Sequence, residues 1–118
     1  MNDSILLTIK KMVGISDDDA SFDVDLIVLI NSALSTANQV GVGKTGFSIA
    51  GSDATWTDFL GDRNDLESVK QYIYMKVKIA FDGASMSSSL VDTFNNMIKE
   101  EEWRLNVLSE NNTEGKYK

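Results

Sequence analysis

The amino-acid sequence predicts a mainly helical fold, with about four helices in a small bundle and a glycine-rich loop or short β-hairpin inserted between helices 2 and 3. Three observations predict this class. Proline, the strongest helix breaker, is absent from all 118 residues. Apolar residues recur at spacings of three and four in four separate stretches. Five of the eight glycines fall between positions 41 and 61, which marks the region where helices stop.

The first predicted helix is short and covers residues 4–13. Its apolar face consists of residues three and four apart: Ile5, Ile9, Met12 and Val13. Gly14 is placed to end this helix, because glycine readily adopts the left-handed conformation of a helix C-terminus. The turn that follows is polar and acidic, and Ser21 is the expected N-cap of the next helix.

The second predicted helix runs from Phe22 to Val40 and is apolar over more than one face. One stripe carries Leu26, Leu29, Ile30, Ala33, Leu34 and Ala37. Ile27 and Val28 widen the apolar surface beyond that stripe. A helix of this kind is usually buried against several neighbours, and in so short a chain some of them are expected to belong to another subunit.

The glycine-rich insert spans residues 41–60. Phe47-Ser48-Ile49 alternates apolar and polar residues as a half-buried strand does. Residues 54–56 are placed to pair with it across a turn at 50–53, which would make a small hairpin. Residues 57–60 then predict one helical turn that Gly61 ends.

Two longer helices complete the predicted domain. The third covers residues 65–82, and the last carries Leu90, Phe94, Met97, Ile98, Leu105 and Leu108 at helical spacing. The length of the chain suits one domain and not two. We therefore predict a single helical domain over residues 1–110 and a flexible polar tail over residues 111–118.

The composition argues against several classes of function. The chain has 11 basic and 18 acidic residues and a net charge of -7, which disfavours binding to nucleic-acid phosphates or to an anionic membrane. It has no histidine and no cysteine, so it lacks the usual bases, thiol nucleophiles and zinc ligands. No apolar run reaches the roughly 20 residues of a membrane span, and the first residues lack the pattern of a secretory signal. We expect a soluble intracellular protein with no catalytic site.

Two motifs that suggest chemistry fail on their details. Gly-Val-Gly-Lys-Thr at 41–45 ends like a phosphate-binding loop, but the pattern requires glycine at the position of Asn38 and a strand before the loop. The aspartates at 17–19, 23 and 25 resemble a calcium loop, but Phe22 and Val28 stand where that loop needs glycine and glutamate. We predict no cofactor site and no metal site.

The two tryptophans are the more informative residues. Tryptophan is enriched at protein interfaces, although both residues could equally belong to the core. Trp56 lies in the predicted loop and Trp103 lies beside the acidic run 100–102. Both positions suit contact with a partner better than burial in a four-helix core. Phe47 and Ile49 of the same insert are further candidates for partner contact.

The order of these features resembles the small head–tail connector proteins (adaptor or head-completion proteins) of siphovirus-type tailed phages. The likeness lies in passages spread over nearly the whole chain: residues 14–19, 25–33, 38–43, 56–61, 69–78 and 101–107. Their order and spacing carry the resemblance, because no single passage contains a strong motif.

The resemblance implies a structural subunit of the virion. Such proteins would form a ring, expected to have about twelve subunits, that attaches below the portal and extends the DNA channel toward the tail. The implied partners are further copies of the chain, the portal protein and the next connector or tail-completion protein. DNA would pass through without being bound specifically. Assembly is expected in the cytoplasm of the host bacterium, and the final location is the head–tail junction.

The resemblance also suggests a portal contact. We expect the last helix and tail, with Trp103, Arg104 and Tyr117, to hold the portal side. An alternative from a different class is a small acidic regulatory or inhibitor protein that binds one host partner. That alternative predicts a discrete monomer or dimer instead of a ring.

Overall fold

The computed structural model describes residues 4–61 and 66–116, with side chains as far as Val107. These described residues form five α-helices and one 3₁₀ turn: α1 Ile5–Val13, α2 Asp23–Gln39, α3 Trp56–Leu60, α4 Leu66–Asp82, the turn Gly83–Ser85, and α5 Ser88–Lys116. The predicted mainly helical fold is confirmed. Within the described ranges there is no strand, and a single antiparallel bridge joins Ser4 to Thr55.

Both ends of α1 lie close to where the sequence predicts them. The Ser4 hydroxyl accepts a hydrogen bond from the Leu7 amide at 3.2 Å, which satisfies one donor of the first turn. Gly14 adopts a φ of 88° and ends the helix as predicted.

The start of α2 differs from the prediction. Phe22, and not Ser21, is the N-cap, and it offers no side-chain hydrogen bond. The Asp19 carboxylate accepts the Ser21 amide at 3.0 Å, which closes the turn and leaves Ser21 outside the helix. Asp23 and Asp25 in the first turn stabilise the helix electrostatically instead.

Helix α4 is the centre of the packing. It contacts α1, α2 and α5. Its buried residues occupy more than one stripe: Val69, Tyr72, Ile73, Met75 and Val77. The core is therefore arranged around one helix that is covered on several sides, as its broad apolar surface requires.

A buried lysine joins α1 to α2. Lys10 is 1% exposed, and its ammonium lies 2.9 Å from a carboxylate oxygen of Asp23. The same ammonium donates a hydrogen bond to the carbonyl of Asp17 at 3.1 Å. A buried charge needs partners of this kind, so the contact fixes the acidic turn and the start of α2 against the end of α1.

The insert between α2 and α3 is a loop, and the hairpin alternative is wrong. The Asn31 side chain of α2 accepts the Ile49 amide at 2.7 Å and donates to the Ile49 carbonyl at 3.0 Å. Thr55, expected to pair with this segment, instead bridges to Ser4 and caps α3 through a reciprocal pair of bonds with Asp58. Side-chain hydrogen bonds thus replace the strand pairing that the alternating pattern predicted.

The beginning of the loop is held against α3. The Asn38 amide donates to the carbonyls of Val42 and Gly43, each at 3.2 Å, and the Lys44 amide donates to the Phe59 carbonyl at 2.9 Å. Gly43 has a φ of 81°, and a Cβ there would stand 2.3 Å from the Phe59 ring. This stretch is consequently a packed turn without the strand–loop–helix order of a phosphate-binding loop.

A hydrogen bond between side chains helps to dock α5 on α4. The buried Tyr72 hydroxyl donates to the Glu102 carboxylate at 2.8 Å. Burial of the phenol, followed by this bond to Glu102, raises the pKa of Tyr72 far above its usual value of 10.0. Tyr74 and Phe94 add an edge-to-face contact between the same helices, with ring centroids 6.1 Å apart.

The C-terminal part of the chain continues α5. The helix extends to Lys116, so its backbone includes residues 111–116, which the sequence assigned to a polar tail. Flexibility of that tail and the extent of the single domain stay predictions.

Replacing Lys10 by methionine should destabilise the fold. Methionine keeps the volume of the buried stem but leaves Asp23 without its cation, so we expect the free energy of unfolding to fall by about 2 kcal/mol. The matched control is Lys11→Met at the neighbouring exposed position, which should change stability by less than about 0.5 kcal/mol. Urea denaturation measures both, and equal losses would show that the buried ion pair has no special part in stability.

Replacing Gly43 by alanine should cost more than the same change at Gly46. Both glycines have positive φ, at 81° and 75°, but a Cβ at position 46 meets no atom within 4 Å. We expect a loss of about 1 kcal/mol for Gly46→Ala from backbone strain and about 2–3 kcal/mol for Gly43→Ala, which also displaces Phe59. Thermal and urea melts of the two variants test this, and identical stabilities would contradict the packed turn.

The raised pKa of Tyr72 predicts a stability difference at high pH. Above about pH 10 the unfolded phenol loses its proton while the folded one keeps it, so the stabilisation by neutral Tyr72 is complete below that pH and declines above it. Tyr72→Phe removes this contribution. The wild-type protein should therefore lose stability more steeply than Tyr72→Phe between pH 9 and 11 in parallel urea titrations (roughly the range bracketing a free phenol). If the stabilities of the two proteins fell equally with pH, the folded protein would not be keeping the Tyr72 phenol protonated.

Candidate functional site

The most exposed aromatic side chain in the described part of the chain is Trp103 on α5. It is 71% exposed. The buried stripe of α5 includes Ile98, Glu101 and Leu105, and two residues along a helix differ in direction by about 200°. Trp103 therefore points away from the side on which α5 packs against α4.

Charged side chains surround Trp103. Lys99, Glu100 and Arg104 line a shallow depression together with it. Arg104 is 54% exposed, and one of its guanidinium nitrogens lies 2.5 Å from a Glu101 carboxylate oxygen. Lys99 has no ion pair among the described residues. The depression thus combines an open aromatic surface with Arg104, which is partly engaged, and Lys99, which has no ion pair with any residue the structure describes.

The three consecutive glutamates of α5 have different roles, as their directions on a helix require. Glu102 accepts the Tyr72 bond and lies 4.0 Å from the Lys76 ammonium, and Glu100 is exposed. Glu101 is buried, and its second carboxylate oxygen has no hydrogen-bond partner among the described residues. Arg104 pairs with Glu101 and not with Glu100, the residue four positions before it. The ion pair with the buried Glu101 carboxylate places the Arg104 guanidinium beside Trp103.

Two candidates of the insert are core residues. Trp56 is 2% exposed, and its indole nitrogen donates to the Thr8 hydroxyl at 3.1 Å. Ile49 is 4% exposed and is held by Asn31. Both side chains have a structural role in the core of the subunit, where side chains from other elements satisfy the loop backbone. Contact of either residue with a partner stays a prediction.

The remaining two candidates differ in accessibility. Phe47 is half-buried and packs on Phe59, with ring centroids 5.2 Å apart. Tyr117 lies outside the described residues. Among the five of these candidates that the structure describes, Trp103 and Arg104 lie together on an exposed surface.

A second exposed apolar surface was only partly anticipated. A groove of about 410 Å³ lies between the start of α2 and the end of α4 and is lined by Phe22, Asp25, Val28, Leu29, Ala80 and Phe81. Phe22 and Phe81 meet edge to face at 5.4 Å. The sequence indicated surplus apolar surface at Val28, which is 62% exposed, but not the contact of Phe22 with Phe81. Sequence periodicity within one helix carries no signal for a contact between two helices.

The turn before the groove is acidic and ionised. The Asp18 carboxylate accepts a bond from the Ser16 hydroxyl, and the Asp19 carboxylate accepts one from the Ser21 amide. These bonds lower the pKa of both carboxyls below the usual value of 3.8. Both groups are therefore fully negative near neutral pH. Among the described residues, no three acidic, histidine or cysteine side chains converge in a way that could hold a metal ion.

The structure contains no described helix whose length and apolarity would allow it to cross a bilayer. The features that remain on the surface are the depression around Trp103, the groove between α2 and α4, and the acidic turn. They suit contacts with other proteins, because exposed apolar side chains bordered by charges are typical of protein interfaces.

Comparison with known protein families gives a match over most of the chain. The family model described as "Phage connector protein" matches residues 5–112. Neither the curated proteins nor the solved structures contain a significant match. The matched region covers every helix from α1 to α4 and most of α5. The chain therefore belongs to the phage connector protein family, whose members are structural proteins of the virion head–tail connector.

Proposed function

We propose that this protein is a ring-forming subunit that attaches below the portal and extends the DNA channel toward the tail of a siphovirus-type phage. The observation that carries the proposal is the family match over residues 5–112. The exposed apolar side chains on α2 and α5 support it, since an assembling subunit must keep apolar surface for its neighbours. Assembly takes place in the host cytoplasm, and the final location of the ring of about twelve copies is the head–tail junction of the virion.

The acidic surface suits a channel through which DNA passes. Asp53 and Asp92 are exposed away from the groove between α2 and α4, and the whole chain carries a net charge of -7. Negative side chains repel phosphates, so DNA would move past them without a specific contact. The next connector or tail-completion protein then meets the free side of the ring.

Two regions of α5 serve different partners in this proposal. Trp103 and Lys116 are thirteen positions apart on one helix, a rise of about 20 Å. We assign the portal contact to the end of α5 and the tail, including Tyr117. The surface around Trp103 and Arg104, which sequence reasoning placed on the portal side as well, is assigned to a contact with a neighbouring copy.

Native mass spectrometry with and without portal tests the assembly. We expect a closed ring near twelve subunits, either for the protein alone at high concentration or after portal is added as a template. A stable dimer that does not bind portal would favour the inhibitor alternative. Absence of portal binding in every condition would refute the connector proposal.

The portal contact has its own test. Tyr117→Ala should weaken portal binding at least tenfold, because an aromatic anchor at an interface contributes more than its surroundings. Tyr117→Phe, which keeps the ring, is the matched control and should bind nearly normally. Circular dichroism of both variants checks the fold. Equal binding by Tyr117→Ala would place the portal contact elsewhere.

A further inference from the structure

We propose that the groove between α2 and α4 of one subunit receives the surface around Trp103 of a second copy of the same chain. In this contact Trp103 enters the groove, and Lys99 and Arg104 approach its acidic border. The inference rests on the proposed ring and adds which two surfaces join its subunits.

The receiving surface is open and apolar. Val28 is 62% exposed on one side of the groove, and Phe22 is 42% exposed at its end. Val24, one turn before Val28 on α2, is 75% exposed and extends the apolar area. Removing these side chains from water is favourable, at about 25 cal/mol per Å² of apolar area.

The entering surface has the matching character. Trp103 offers a large rigid side chain, and tryptophan is the residue most enriched among the energetic centres of interfaces. Glu101 holds Arg104 beside it through the contact of 2.5 Å, so the arrangement exists before assembly. A contact that is preorganised loses less conformational entropy on binding.

Cations on the surface around Trp103 can meet carboxylates at the groove. Asp25 lines the groove and has no ion pair among the described residues, and the ionised Asp18 and Asp19 stand in the turn that leads to it. Lys99 is likewise without an ion pair in the described part of the chain, and Arg104 keeps half of its surface exposed. Glu100 also lines the depression around Trp103, so the attraction depends on individual contacts, and the clearest of these is Lys99 with Asp25.

A second copy is the occupant that these observations favour. Six large apolar side chains are exposed among the described residues, and four of them, Phe22, Val24, Val28 and Trp103, belong to or adjoin these two surfaces. The groove lies on α2 and the end of α4, and the other surface lies on α5. A contact between two different surfaces of identical subunits repeats from copy to copy and closes into a ring when the rotation permits.

Cross-linking tests the pairing directly, because the chain contains no cysteine. Val28→Cys and Lys99→Cys are introduced together at exposed positions, and the assembled protein, with portal where a template is needed, is treated with a short bismaleimide. We expect a ladder of covalent multiples up to the full ring. Each single variant should stay monomeric on a denaturing gel, because the two surfaces are different. The control pair Ser52→Cys with Lys99→Cys should give no ladder.

The outcomes separate this inference from the proposed function. A ring that assembles without cross-linking through positions 28 and 99 would overturn the assigned contact and leave the ring in place. Cross-linked dimers from Val28→Cys alone would overturn it as well, since they require a symmetric contact. No assembly of the unsubstituted protein, with or without portal, would refute the connector proposal itself.

Trp103→Ala provides a second readout. It should reduce ring formation at least tenfold while leaving the melting temperature of the subunit unchanged, since the side chain is 71% exposed. Normal rings combined with lost portal binding would overturn the inference and return Trp103 to the portal side.

Discussion

The burial of α4 is the constraint on which the rest of the structure depends. Its apolar residues are spread over more than one face, so a single neighbouring helix cannot cover them. Helices α1, α2 and α5 all contact it, and the short α3 adds Trp56 and Phe59 to the same core. This arrangement directs the outer faces of α2 and α5 toward solvent. The two exposed apolar surfaces are consequences of how the centre is packed.

The helices could be predicted from the sequence because their signals are local. Gly14 and Gly61 end helices where the sequence placed them, and the long apolar stripes gave α2 and α4 their extents. The insert was harder, because its backbone is satisfied by side chains from another element. The alternation of Phe47, Ser48 and Ile49 is real, yet the partner of Ile49 is the Asn31 side chain, eighteen residues away. Nothing in a local pattern distinguishes such a contact from strand pairing.

The exposed surfaces could be predicted from the sequence only in part. Trp103 could be placed outside the apolar stripe of its helix, and the structure confirms that it is exposed. Trp56 was also expected to be exposed, because it follows a glycine-rich segment. Its burial depends on long-range contacts, such as its hydrogen bond to Thr8, that a local pattern does not reveal. The groove could not be predicted without knowing how α2 packs against α4. Lys10 shows the limit most clearly, because a lysine among apolar residues gives no sign that it will be 1% exposed.

The way in which Asn31 holds the insert affects how this region can contact other molecules. One amide group satisfies both the amide and the carbonyl of Ile49, the two groups that an edge strand would offer to an incoming strand. The loop at this point therefore has no open backbone edge that could be extended by β-augmentation. Any protein that approaches it must recognise side chains and shape. Such recognition is more selective than backbone pairing, which an open sheet edge offers to any extended chain.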